Sequence, residues 1–232
     1  MLSAKAELLI MQNNITENTI KSVLAGLSKN NMQGIFVPCI SDIKEKVREM
    51  LFDGCTITAG GSMSLKESGV WDLISQENYN FVDRSREGIT KEEQQEAFKT
   101  AIGCDFFFCS TNAITENGEL INVDGLCNRI SSIAFGPQKV IMVVGVNKIV
   151  KNVEDGLLRV KSIAAPKNCV RLGIDSPCAK LGHCVSLEKS DNPYITDGCA
   201  IANRICCSYL VSGYQRIRDR ITVILCGEDL GY

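Results

Sequence analysis

Two short segments constrain this chain more than any other feature. Asp105-Phe106-Phe107-Phe108-Cys109 and Val140-Ile141-Met142-Val143-Val144-Gly145 are nearly continuous apolar runs. A strand with one face in water alternates polar and apolar residues. A strand covered on both faces does not, so these runs predict interior strands of a parallel sheet. Helical and strand-like patterns alternate around them. Thr16 is placed to cap a helix with Ile20, Val23, Leu24 and Leu27 on one face, and Gly34 to Val37 reads as a strand. Ser41 is expected to cap a helix burying Ile43, Val47, Met50 and Leu51. Thr56 to Thr58 and Tyr79 to Asp83 read as strands. Thr90 and Glu93 form a capping box for a helix burying Ala97, Phe98, Ala101 and Ile102. Val153, Leu157, Val160 and Ile163 mark a later helix, and Thr222 to Cys226 a last strand. Between the two apolar runs, Glu116-Asn117-Gly118-Glu119 has the turn chemistry of a hairpin. The fold class expected is α/β: an open, mostly parallel sheet flanked by helices, with a β-hairpin insertion and a Cys-rich C-terminal segment.

Of the 232 residues, 45% are hydrophobic and 22% charged, which suits a globular chain, with no internal repeat or low-complexity linker. The net charge of −2 offers no basic excess to neutralise a phosphate backbone, so no nucleic-acid partner is expected. The N-terminal MLSAKAELLIMQNN lacks a signal-peptide pattern, and no apolar run approaches the roughly 20 residues of a membrane span. The expected compartment is the cytoplasm. The chain holds one histidine, His183, which leaves no H-E-x-x-H pair and no nucleophile elbow with its triad.

Three polar segments follow strands, where open α/β sheets place their sites. The first is Gly60-Gly61-Ser62-Met63-Ser64, running on to Gly69. Its glycines let a ligand come close, although Ser64 and Glu67 would also make a plain capping box. The second runs from Ser110 through Asn112, Glu116, Glu119, Asn122 and Asp124 to Asn128 and Arg129. Its carboxylates Glu116, Glu119 and Asp124 are the candidate catalytic base or nucleophile, and Arg129 could fork a carboxylate or phosphate. The alternative is a solvated hairpin with local Asx turns. The third is Gly145 to Val150, where Lys148 either binds an anion or lies exposed, and Asn147 or Asn152 caps the next helix.

Twelve cysteines do not read as a secreted disulfide framework in a chain of this size. Cys104, Cys109 and Cys226 sit in apolar runs and read as core residues. Beyond Pro166 the stretch Lys167 to Cys207 is rich in Cys, Gly, Pro, Asn and Asp. Within it Cys178, Cys184, Cys199 and Cys206 could bind zinc or an iron–sulfur cluster, or remain reduced thiols in a loop-rich cap.

Four segments together carry a resemblance: GGSMSLKESG from Gly60, STNAITENGELINVDGLCNR from Ser110, FGPQKVIMVVGVNKIV from Phe135 and RITVILCGEDLGY from Arg220. In this order they resemble the LUD (lactate utilisation) domain proteins, over most of the chain. The resemblance implies one α/β domain over residues 1–232, with the Cys-rich segment 167–207 inside it. It also implies a fold like that of ribose-5-phosphate isomerase, glucosamine-6-phosphate deaminase and the CoA transferases. The activity implied is oxidation of L-lactate, a small 2-hydroxy acid, to pyruvate beside an iron–sulfur protein partner. The family's late cysteine run is matched by Pro177-Cys178, by Gly182-x-Cys184 and by Arg204-Ile205-Cys206. Leu187 stands where a third cysteine is expected, and Glu188 to Gly198 reads as an insertion that displaces it to Cys199.

The ligand expected is a small carboxylate or phosphate, held by Gly60, Gly61, Ser62, Ser64, Asn112, Asn122, Asn128, Arg129 and Lys148. Two rival readings stay open: an acyl- or CoA-transferase-like or sugar-phosphate isomerase-like enzyme using Glu116 or Glu119, and a non-catalytic binding or regulatory subunit. Homo-oligomerisation is equally open.

Overall fold

The computed structural model describes residues 16–76 and 78–232. The reading of the N-terminal MLSAKAELLIMQNN lies outside them. In chain order the first elements are α1 (Glu17–Lys29), β1 (Gln33–Val37), α2 (Ile43–Arg48), β2 (Thr56–Ala59), α3 (Met63–Glu67), α4 (Val70–Ile74), β3 (Asn80–Val82) and α5 (Lys91–Gly103). They are followed by β4 (Phe106–Cys109), β5 (Ala113–Thr115), β6 (Leu120–Asp124), α6 (Asn128–Ala134), β7 (Lys139–Gly145) and β8 (Ile149–Val150). The last are α7 (Val153–Arg159), α8 (Ala165–Arg171), α9 (Pro177–Leu181), β9 (Ser208–Ser212) and β10 (Ile221–Cys226).

Six strands form a sheet in the order β1-β10-β7-β4-β2-β3, and every pairing in it is parallel. Its interior strands are covered on both faces, as their composition requires. Phe107 and Cys109, with Val140, Met142 and Val144, face a core closed by Val23 and Leu27 of α1, Ala101 of α5 and Ile133 of α6. Phe106 and Phe108, with Ile141 and Val143, face the other core, closed by Ile43 and Val47 of α2, Leu65 of α3 and Leu73 and Ile74 of α4. Phe107 and Phe108 are fully buried, and each contributes on the order of 1.5–3 kcal/mol by leaving water.

Most sequence expectations for local structure hold, with corrections at α2, at α5 and after Val153. Thr16 caps α1 and Thr90 with Glu93 closes the capping box of α5. Ser41 does not cap α2, because a 3-10 turn over Ile40–Asp42 precedes the helix and the Ser41 hydroxyl donates to Asp42 Oδ1 at 3.3 Å. Ile102 is 48% exposed, since α5 stops one residue later and its apolar stripe is carried by Ala97 and Ala101. The helix expected from Val153 also runs beyond Pro166: a π turn over Val160–Ala164 leads straight into α8. Pro166 brings no N–H, and the widened turn ahead of it accommodates that loss.

A second, four-stranded sheet has the order β8-β5-β6-β9. Strands β5 and β6 are the expected hairpin, paired Ala113 to Ile121 and Ile114 to Leu120. Gly118, at φ +82°, turns it in the left-handed region that favours glycine. The hairpin tip rests directly on α1, where Asn30 Nδ2 donates to Asn117 O at 2.9 Å. A Cβ at Gly26 would lie 2.3 Å from the Asn117 carbonyl carbon, so backbone meets backbone there. The Gly26→Ala variant is therefore expected to lose roughly 1–3 kcal/mol of stability through overpacking, read by urea unfolding; an unchanged midpoint would show that this contact yields freely.

Candidate functional site

The chain runs outward from β2 to β3, then returns to place β4 on the other side of β2. Ligands in open parallel sheets bind beyond the carboxyl ends of the strands at such a reversal. A cleft of about 510 Å³ opens there. The loop after β2 brings Gly61, Ser62 and Ser64 to it, the segment after β4 brings Ser110 and Asn112, and the turn after β7 brings Lys148. Asp124, Asn128 and Arg129 join from the end of β6 and the start of α6. The glycine loop and the base of the hairpin thus share one wall.

Ser62, not Ser64, caps α3: its hydroxyl accepts from Leu65 N at 3.4 Å. The capping box of Ser64 and Glu67 does not form. Glu67 Oε2 accepts from Gly231 N at 2.6 Å, and Ser64 turns inward to Lys148. Lys148 is buried, with Nζ donating to Ser64 Oγ at 2.8 Å and to Ser110 Oγ at 3.0 Å. Burial is the main cause that drives its pKa well below 10.5. The neighbouring Arg159 and Arg129 push it the same way, against a weaker opposing pull from Glu67 and Cys109. Arg159 is itself buried and its pKa falls to about 10, first through burial, with Asp229 opposing. It donates to the backbone oxygens of Asn112 and Asn147, tying the two polar segments together.

Arg129 is a clamp within the protein. Nη1 donates to Ser110 O at 3.0 Å and Asn122 Oδ1 at 2.6 Å, and Nη2 donates to Asn112 Oδ1 at 2.9 Å and Val123 O at 2.8 Å. Both terminal nitrogens are thereby occupied, so it lends the cleft charge and shape more than a free fork. Gly60 and Asn122 stand behind it, outside the lining. A Cβ at Gly60 would come 3.0 Å from Arg129 Cδ, which explains the glycine. Asn122 is buried and its Nδ2 has no partner among the described residues. Asp124 accepts from the N–H groups of Leu126, Arg129 and Ile130. Glu116 and Glu119 do not line the cleft: they sit at the hairpin tip beside α1, and Glu119 accepts from the Thr115 hydroxyl.

Sequence reasoning passed over three cations. Arg84 follows β3 and stacks over Phe98, 5.3 Å from its ring centre, with no hydrogen bond or ion pair from its guanidinium among the described residues. Burial lowers its pKa, and Asp124 opposes that shift. Lys66 lies 5.8 Å over the Trp71 ring. Arg171 is steadied by Asn168 and Tyr232. Arg84 and Lys66 obey the same strand-end logic that singled out the glycine loop; nothing local marks Arg171.

The LUD domain family model matches residues 20–226. The chain belongs to the LUD-domain family. No curated protein matches it. Among solved structures this LUD domain is similar to a DUF162 family protein from Deinococcus radiodurans, at 12% identity and TM-score 0.51, covering 90% of this chain and 97% of that one. Identity this low shows a shared fold alone. A partial likeness to eIF2B delta from Chaetomium thermophilum has 19% identity, 49% of each chain and TM-score 0.34, and carries no argument.

The four late cysteines of this LUD domain are neighbours without forming a ligand set. Cys178 pairs with Cys169, with sulfurs 3.7 Å apart, and Arg204 Nε donates to Cys206 Sγ at 3.1 Å. Cys184 and Cys199 are near enough to act electrostatically on Cys206. Among the described residues, however, no three Cys, His, Asp or Glu side chains converge to hold a metal ion. Segment 167–207 is held to the rest by other means: Lys161 donates to Asp197 O and Ser186 Oγ, and Leu187 packs on Leu158.

Two tests follow from this geometry. Arg129→Ala should lower stability by about 3 kcal/mol in urea unfolding, because it leaves buried acceptors unpaired; a fully stable variant would return Arg129 to ligand binding. Lys148 binds its proton less tightly folded than unfolded, so stability should rise with pH from its lowered value towards 10.5 and carry the full penalty below it. Lys148→Met should flatten that slope, checked by unfolding at stepped pH; an unchanged slope would assign it to other groups.

Proposed function

We propose that this LUD domain acts in the oxidation of L-lactate to pyruvate, holding the small 2-hydroxy or 2-oxo carboxylate in the cleft, as a component beside an iron–sulfur oxidoreductase. The observation that supports an anionic ligand is the charge of the lining. Among the described residues of the lining, Lys66, Arg84, Arg129 and Arg171 face one carboxylate, Asp124, with the buried Lys148 amine beside them, in a chain whose net charge is −2. Concentrating cations in one low-dielectric cleft is costly unless an anion compensates them, and it raises the local concentration of such anions. Arg84 is the most available of them, because its guanidinium is engaged by no acceptor among the described residues and offers a planar fork. The lactate assignment and the iron–sulfur partner rest on the family resemblance. The cleft is larger than a three-carbon acid, which leaves room for a second group beside it.

The carboxylate would bridge Arg84 and the Arg171 side, while Ser62 and Asn112 supply hydrogen bonds to a hydroxyl or carbonyl oxygen. Calorimetry of the full chain with L-lactate, pyruvate and inorganic phosphate tests the reading. Arg84→Gln should weaken carboxylate affinity by about 10–100-fold, the worth of a charged hydrogen-bond pair, with the fold unchanged. Binding of phosphate alone, with no response to either acid, would replace the carboxylate by a phosphorylated ligand. An Arg84 variant with unaltered affinity would move the anion elsewhere.

A further inference from the structure

The cleft contains few groups able to begin a reaction. Among the described residues no histidine or cysteine lines it, and the one carboxylate that does, Asp124, is held by three backbone N–H groups. Arginine is no nucleophile at ordinary pH. Of the two lysines in the lining, Lys66 stands exposed over Trp71, whereas Lys148 is set where the ends of β2, β4 and β7 converge and is 2% exposed.

Its hydrogen bonding suits an uncharged amine. Ser64 Oγ can donate to Leu230 O at 3.2 Å and Ser110 Oγ to Thr111 O at 3.4 Å, so both hydroxyl oxygens are left to accept from Lys148. A neutral amine has two N–H bonds for these two acceptors, and its third tetrahedral position carries the lone pair. An ammonium would bring a third N–H, for which the described residues give no acceptor. No ion pair to Lys148 is formed among the described residues, and its strongest charged neighbours are the cations Arg159 and Arg129, with Glu67 and Cys109 acting more weakly in the opposite sense. Chain packing preserves this setting. Gly231, at φ +62°, passes so close that a Cβ there would lie 2.5 Å from Ser64 Oγ and 3.3 Å from Lys148 Nζ. A desolvated lysine beside other cations is an activated nucleophile.

We propose that Lys148 is a carbonyl-reactive amine that forms an imine with the keto carbon of a 2-oxo acid bound in the cleft. The inference rests on the anion-binding reading of this cleft and deepens it. The Nζ lone pair attacks the keto carbon, the carbonyl electrons move to oxygen, and that oxygen takes a proton released by the nitrogen, giving a carbinolamine. Loss of water then forms the C=N bond. The net change is amine plus ketone to imine plus water, with no oxidant or reductant consumed. Ser64 and Ser110 are positioning residues that orient the nitrogen, and Arg84 and Arg171 hold the carboxylate.

The test is reductive trapping of the full chain with pyruvate and cyanoborohydride, followed by peptide mass mapping, with pyruvate binding measured in parallel by calorimetry. The expected result is a reduced pyruvate adduct on the peptide that contains Lys148, dependent on both reagents and lost in excess L-lactate, which carries the same carboxylate but no keto group. Lys148→Met, which keeps an uncharged side chain of similar length but cannot form the imine, should give no adduct at that position. Pyruvate bound by the parent chain with no adduct at Lys148, or adducts only on Lys66 and exposed lysines, would overturn the imine and leave the anion site standing. A parent chain that binds no pyruvate would overturn both.

Discussion

The double-sided burial of β4, β7 and β10 is the constraint on which the rest depends. Apart from Lys139 at the start of β7, every residue along these strands is buried, and their large apolar side chains face one of two cores. A sheet so enclosed can admit polar chemistry only at strand ends, where the chain leaves the core. The three loops that leave from β2, β4 and β7 are therefore forced into one neighbourhood, and the cleft is the result. Its polar residues are expensive to bury, which is why nearly every one is tied to a neighbour.

Cations hold this neighbourhood together by hydrogen bonding to oxygen atoms. Arg129 binds two backbone carbonyls and two asparagine side chains, and Arg159 binds the carbonyls of Asn112 and Asn147. Arg220 does similar work at the opposite end of the sheet, donating to the carbonyls of Ser132, Ile133 and Pro137. Guanidinium groups suit the task because they remain charged and present several donors in one plane. Two such groups beside Lys148 leave the lysine as the member of the cluster that sheds its proton most readily. The surplus of positive charge is then concentrated on Arg84, Arg171 and Lys66, which are the groups facing the open part of the cleft.

The Cys-rich segment follows different physics. Its sequence leaves open a metal site or reduced thiols in a loop-rich cap. In the structure its first part is helical in α8 and α9, and the rest is anchored by Lys161, Leu187 and Arg204. Backbone carbonyls of the loop, among them those of Thr196, Asp197 and Cys199, find donors in these two cations. That offsets part of the ordering entropy that a ligated metal would otherwise have to offset.

The sequence by itself determined the parallel sheet, the hairpin turn, most helix caps and the loops that carry the cleft, because these follow from local patterns: continuous apolar runs, turn residues and capping spacings. It also carried family membership, through four ordered segments. Only the tertiary structure decided which polar residues meet. Glu116 and Glu119 look as promising in the sequence as Asp124, yet the hairpin carries them to its tip against α1 while Asp124 stays at its base. Lys148 could be read as exposed or as a ligand, and burial against Ser64 and Ser110, far away in the chain, settled its environment. Arg171 joins the cleft only because a π turn carries the chain through Pro166 into α8. A side chain's charge state and partners are set by residues distant in sequence, and no local pattern encodes those distances.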